Sequence, residues 1–227
     1  MKNILWNPPE PGKTQMAQFM YRVNQVYDLD MNSYDELFNW SVNHIPDFWG
    51  QIWDYAEIKH SIPYSTIVDD VTKMPGAKWF AGAKLNFSEN LLRYRDEQQA
   101  IIFKGEGQPI RSITYSELFS EVEKLAHSLR ELGIQKGDRI AGFMPNMPEA
   151  VIAMLAVVSI GAIWSSSSPD FGIKGVLDRF SQISPRVIFS ANGYYYNGKE
   201  FDTFAKLKGI LKDLPSVEKV IIVEYLK

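Results

Sequence analysis

From Ala100 to Leu226 the chain alternates short apolar runs with amphipathic stretches of helical length, and this alternation limits the fold more than any other feature. AIIFK and IRSITY flank the turn-like GEGQP and read as a hairpin. Thr114 and Glu117 have the spacing of a capping box, which predicts a helix carrying Leu118, Val122, Leu125, Leu129 and Leu132 and stopping at Gly133. KGDRIAGFMPN is a turn and a buried strand. Pro148, which lacks only an amide hydrogen that would be unpaired there anyway, suits the first turn of a helix through PEAVIAMLAVVSIG. AIWSSS follows as a strand, GIKGVLDRFSQIS as a helix ended by Pro185, RVIFS as a strand, FDTFAKLKGILKDL as a helix and VEKVIIVEYL as a last strand. Strands separated by helices of this length pair in parallel through right-handed crossovers, with helices on both faces of the sheet. The expected class over residues 96–227 is therefore α/β, a partial doubly wound parallel sheet with flanking helices. Because Lys227 comes directly after the apolar strand region, the sheet reads as one cut off mid-fold.

Residues 1–95 have a different texture, a helical, aromatic-rich region followed by an extended connector. Met16, Phe19, Met20, Val23 and Val26 recur at helical spacing, as do Phe48, Trp49, Ile52, Trp53 and Ala56. Ser33 and Glu36 form a second capping-box pattern, opening a helix that carries Leu37, Phe38 and Trp40 and stops before Pro46. Stripes at this spacing read as buried helix faces. Residues 60–90 hold Pro63, Pro75, Gly76 and Gly82 with little periodicity and read as the connector.

Composition narrows the function. The 227 residues are 45% hydrophobic, enough for a sizeable core, and the net charge of -3 is spread among interspersed acids and bases. Without a dense Lys/Arg run, neither a nucleic-acid partner nor a polybasic membrane anchor is expected. The chain has no cysteine, which removes disulfides, thiolate metal sites and cysteine catalysis and suits a reducing compartment. Pro8, Pro9 and Pro11 interrupt any signal-peptide core, and the apolar stretch from Ala150 to Trp164 is shorter than the roughly 20 residues of a membrane span. The expected location is cytoplasmic, with no membrane contact.

Familiar motifs fail one by one. GEGQPI has Ile110 where a dinucleotide fingerprint needs its third glycine, and it joins two strands rather than opening a helix. Gly12-Lys13-Thr14 has the tail of a phosphate-binding loop, but Asn7 stands where the leading glycine belongs. His44, His60 and His127 are far apart, so a metal site would have to be assembled from distant segments. Ser165 to Ser168 lack the flanking glycines of a hydrolase nucleophile elbow. These serines end a parallel strand, where open α/β sheets present ligand contacts; the alternative is that they cap the next helix and satisfy local backbone groups, and the residues alone favour that alternative.

Three segments taken together carry a resemblance. WFAGAKLNFSENLL (79–92), the run from ITYSELF to SSSSPDFG (113–172) and the aromatic NWSVNHIPDFWGQIWDY (39–55) are similar to the amino-terminal part of the adenylate-forming acyl-CoA synthetase superfamily. The middle segment is shared broadly in that superfamily, while the Trp-Ser-Ser-x-Ser-Pro-Asp-Phe-Gly stretch and the Trp-rich leader point to its acetoacetyl branch. The resemblance implies an acid–thiol ligase of lipid and ketone-body metabolism. In such an enzyme acetoacetate attacks the α-phosphate of ATP, releasing pyrophosphate, and the CoA thiol then displaces AMP from the acyl-adenylate, with Mg²⁺ managing phosphate charge. The family's Gly/Ser/Thr-rich ATP loop, its later adenine and Mg²⁺ motifs and its small C-terminal domain have no counterpart in these 227 residues. The chain is therefore expected to be an N-terminal fragment, inactive alone, and self-association through an exposed sheet edge is expected of it. A non-catalytic nucleotide- or partner-binding α/β module is the alternative.

No residue here is assigned a catalytic or metal-binding role. The resemblance places Tyr196 and Lys199 where relatives carry two arginines that meet the CoA nucleotide; Lys199 keeps the charge and Tyr196 offers a ring to stack on adenine. A turn at Asn197-Gly198 with aromatics resting on the surface is the other reading of the same residues. Ser168 and Asp170, with Pro169, fall on a segment bordering the CoA tunnel that is glycine-rich in relatives of the acetyl branch. Arg179, which matches an arginine in relatives, is expected to anchor its helix.

Overall fold

The computed structural model describes residues 6–226, so the leader reading over residues 1–5 and the closing Lys227 lie outside the described residues. The chain forms two compact units, Met1–Leu85 and Asn86–Lys227.

The first unit holds helices α1 (Gln15–Tyr27), α2 (Tyr34–Asn43) and α3 (Ile45–Tyr55) and the short antiparallel strands β1 (Thr66–Val68) and β2 (Trp79–Ala81). Ser33 and Glu36 close a reciprocal capping box at the start of α2, each satisfying an amide that the helix cannot pair itself. α2 ends three residues before Pro46, which sits in the first turn of α3, where a missing amide hydrogen is harmless. Phe19, Val23, Met31, Leu37 and Trp40 form the core. Met16 and Val26, at the two ends of the expected α1 stripe, are exposed, because this cluster covers only the middle of the helix.

The second unit opens with α4 (Phe87–Leu91) and the antiparallel hairpin β3 (Gln99–Lys104) and β4 (Ile110–Thr114). Then come α5 (Tyr115–Glu131), β5 (Arg139–Phe143), α6 (Pro148–Ser159), β6 (Ile163–Ser167), α7 (Ile173–Ile183) and β7 (Val187–Ala191). The hairpin β8 (Gly193–Tyr196) and β9 (Lys199–Asp202) precedes α8 (Phe204–Lys212) and β10 (Lys219–Val223). β5, β6, β7 and β10 make a four-stranded parallel sheet in the order β10-β7-β5-β6.

Alternation along the central strands divides the core. Ile140, Val187 and Phe189 face α5 and α6 through Leu118, Val122, Leu129 and Ala153. Ala141, Phe143 and Ile188 face α7 and α8 through Val176, Phe180, Leu207 and Ile210. Helices therefore cover both faces, the doubly wound α/β architecture that the alternation predicts. Asn86 and Ser88 dock α4 onto the end of α6, the amide donating to the Val158 carbonyl at 2.9 Å and the buried hydroxyl to that of Leu155 at 2.6 Å.

At the amino edge of the sheet Arg186, just before β7, gathers the starts of its neighbours. Its guanidinium donates to Asp138 before β5 at 2.6 Å, to both oxygens of Glu218 before β10 at 2.8 Å, and to the Gly133 carbonyl at 3.2 Å. The backbone amide of Gln135 and then Arg186 hold the Asp138 carboxyl below its ordinary range, and Arg186 does the same to Glu218.

Candidate functional site

β5 and β7 are neighbours whose connections leave toward opposite sides, one through α6 to β6 and the other through α8 to β10. Ligands of open α/β sheets sit at such a switch point, at the carboxyl ends of the strands. At the carboxyl ends of β5 and β6, beside that switch point, Met144, Pro145, Asn146, Ala150 and Ser166 to Ser168 line a cleft of about 240 Å³. The serine run forms its wall because Ser165 to Ser167 complete β6 in register with Ala141, Gly142 and Phe143. The hydroxyls do not cap the next helix: the N-cap of α7 is Gly172, and no side chain caps it. Ser167 pairs with Phe143, whose ring faces α7 and α8, and its buried Oγ has no hydrogen-bond partner.

Beyond β6 the chain turns sharply. The Phe171 amide donates to the Ser168 carbonyl at 3.3 Å, with Pro169 in the second position of the turn, where its fixed φ is favourable. Pro169 is buried, whereas Ser168 and Asp170 are exposed on either side of it. Arg179 anchors this turn as well as its own helix: its guanidinium lies over the Phe171 ring, 4.4 Å from the centroid, and donates to the Gly175 carbonyl at 2.6 Å.

Tyr196 and Lys199 lie on the β8–β9 hairpin, whose two-residue turn has Asn197 at φ 51° and Gly198 at φ 73°. Both values fall in the left-handed region, which matches the right-handed twist of hairpin strands and suits an Asn-Gly pair. The register sets Tyr196 directly across from Lys199 and Tyr194 across from Phe201, so all four side chains share one face. Tyr194 stacks on Phe201 with centroids 5.2 Å apart. At the tip the Gly198 amide donates to the carboxylate of Glu106 in the β3–β4 loop.

One side chain joins the hairpin to the turn. The ammonium of Lys206, on α8, donates to the Pro169 carbonyl at 2.9 Å and to the Tyr194 hydroxyl at 3.4 Å, and it lies over the Tyr194 ring 5.5 Å from the centroid. The four residues expected at the ligand side, Ser168, Asp170, Tyr196 and Lys199, thus come from two loops that share one cation. Sequence reading missed Lys206, although a signal was present. Thr203 at the N-cap of α8 and Leu207 and Ile210 within it are buried, and a lysine three residues after Thr203 falls on that inner face. Also missed was Asn192 at the end of β7, whose side-chain oxygen accepts from the amides of Tyr225 and Leu226 at 2.7 and 2.9 Å.

With this geometry in place, comparison assigns the class. The chain belongs to the AMP-binding enzyme family, whose model matches residues 87–227, and residues 34–91 match the acetyl-coenzyme A synthetase N-terminus. It is 43% identical to the acetoacetyl-CoA synthetase of Macaca fascicularis over 98% of its own length and 34% of that relative. It is 41% identical to a malonamoyl-CoA synthetase of Penicillium aethiopicum over 97% of its length and 32% of the relative. Among solved structures it superposes on the acetoacetyl-CoA synthetase of Streptomyces lividans with a TM-score of 0.88 at 36% identity, covering 94% of this chain and 33% of that one. The chain spans about a third of the length of the curated relatives it matches.

Proposed function

We propose that this chain is the N-terminal portion of an acetoacetate–CoA ligase and supplies part of that enzyme's CoA-facing surface. The reaction joins acetoacetate to CoA in two displacements. A carboxylate oxygen attacks the α-phosphorus of ATP and pyrophosphate leaves; the CoA sulfur then attacks the acyl carbonyl, its proton is lost and AMP departs. The role of these residues is recognition. The carrying observation is the Tyr196–Lys199 pair, an exposed ring and an ammonium side by side on one hairpin face, able to stack on an adenine and meet a phosphate. The exposed Ser168 and Asp170 stand on the turn joined to that hairpin and would border the pantetheine arm.

Mg²⁺ would arrive with the ATP phosphates. Among the described residues no group of three or more His, Asp or Glu side chains converges to hold it, and no step is assigned to it in this chain. Among the same residues no helix is long and apolar enough to cross a membrane. The two names among the relatives, acetoacetyl and malonamoyl, differ at nearly equal identity, so acetoacetate rests on the larger share of relatives bearing that name.

Calorimetric titration of the purified chain with CoA, with ATP and Mg²⁺ as the parallel titrant, tests the reading. CoA should bind and ATP should not, and Lys199→Ala should weaken CoA about tenfold by removing one charge-assisted contact. Absence of any CoA binding would overturn the assignment.

A further inference from the structure

We propose that Lys206 is a positioning residue that couples the two loops of the CoA-facing surface, so that the arrangement of Ser168 and Asp170 relative to Tyr196 and Lys199 depends on one ammonium. The inference rests on the CoA reading of those four residues.

Lysine is suited to this task by its geometry. Its three donors rotate about a compact charge, so one ammonium can serve acceptors on separate segments without the fixed fork of an arginine. Here the acceptors are the Pro169 carbonyl and the Tyr194 hydroxyl, from connections before and after β7. The Pro169 carbonyl belongs to the buried residue at the corner of the turn, so fixing it fixes the flanking Ser168 and Asp170. On the other loop the ammonium lies over Tyr194, which is two residues from Tyr196 on the same strand face and stacked on Phe201.

A second contact from α8 acts on the same segment. A Cβ on Gly209 would come within 2.6 Å of Ile173 Cδ1, so the side chain that opens α7 packs directly on the α8 backbone. Lys206 and Gly209 are three residues apart and lie on neighbouring parts of one helical surface. α8 thus grips both ends of the segment from Pro169 to Ile173. Lys206 is half-buried, and no carboxylate among the described residues pairs with it. Its charge is directed to a backbone carbonyl and a phenol, an arrangement that orders a loop without neutralising the cation.

The test compares Lys206→Met, which keeps the apolar stem and removes the donors, with Lys206→Arg, which restores charge and donors. Two readouts are taken on the purified chain, hydrogen exchange at the Asp170, Phe171 and Gly172 amides and the CoA dissociation constant. The methionine variant should exchange about tenfold faster at these amides and bind CoA about tenfold more weakly, with little change in the melting temperature, and arginine, whose fork keeps the charge but not the compact ammonium, should recover only part of both effects. Unchanged exchange in Lys206→Met would overturn the proposal, as would a loss of CoA affinity with exchange unchanged, which would make Lys206 a direct ligand contact. If the wild-type chain binds no CoA, the functional reading fails, and the exchange data still decide whether Lys206 orders the turn. Should the methionine variant fail to fold, Lys206→Gln carries the same comparison.

Discussion

Trp164 lies across Gly142 on the neighbouring strand: a Cβ built on the glycine would stand 2.5 Å from Cζ2 of the indole and 3.4 Å from the Cβ of Ser166. The indole also meets Phe189 of β7 at 5.9 Å between centroids, so it bridges across the central strand. Gly142→Ala should therefore push the ring out and destabilise the second unit by about 1–3 kcal/mol, the usual range for overpacking. Chemical denaturation checks this, and a loss within error of zero would mean that the indole relocates freely.

Ser167→Ala should leave stability unchanged or raise it by up to about 1 kcal/mol, because the hydroxyl it removes is buried without a partner and already bears its desolvation penalty. The same unfolding measurement decides. A clear loss would mean that an ordered water or a protein group satisfies the oxygen.

Acid should loosen the amino edge of the sheet. Asp138 and Glu218 titrate below their ordinary values when folded, so their contribution is complete above the unfolded carboxylate pKa of about 4 and is lost as the pH falls through the depressed values. Arg186→Met should lower the thermal midpoint at pH 7 and flatten its dependence on pH below about 4. An unaltered slope in that range would assign the acid sensitivity to other carboxylates.

Glu106→Gln should tighten CoA binding, by about two- to fivefold at low salt. The replacement keeps an oxygen for the Gly198 amide but removes a negative charge beside the turn that carries Lys199. Titration of this variant at low and high salt checks the sign, and the gain should shrink as salt rises. Weaker binding would show that the carboxylate supports the hairpin more than it repels the ligand.

The strand–helix alternation, both capping boxes, the Pro148 helix start and the Gly133 stop were legible because each rests on chemistry within a few residues. The β8–β9 hairpin was only half legible. Asn197-Gly198 signals a turn, but Phe201 and Asp202 read as the start of α8, because FDTF has no local feature against helix and only pairing with Tyr194 and Gly193 makes it a strand. The residues expected at the ligand side came from resemblance alone, and their joining was not readable. The bonds from Lys206 to Pro169 and from Asn192 to Leu226 span 37 and 34 residues, and no periodicity encodes a contact at that separation. The serine run misled in part, since Gly172 rather than a hydroxyl stands at the N-cap of α7.

The Arg186 cluster lies at the starts of β5, β7 and β10, while the serine wall, the Pro169 turn and the hairpin lie beyond the strand ends. Ionic fastening and the proposed recognition surface thus occupy opposite rims of one sheet, separated by the length of its strands. Such a molecule can be retuned piecemeal: charge exchanges at the fastening rim can adapt it to acidity or heat while the recognition rim keeps its shape, and loop changes at the recognition rim can alter what is bound without unpicking the fastening.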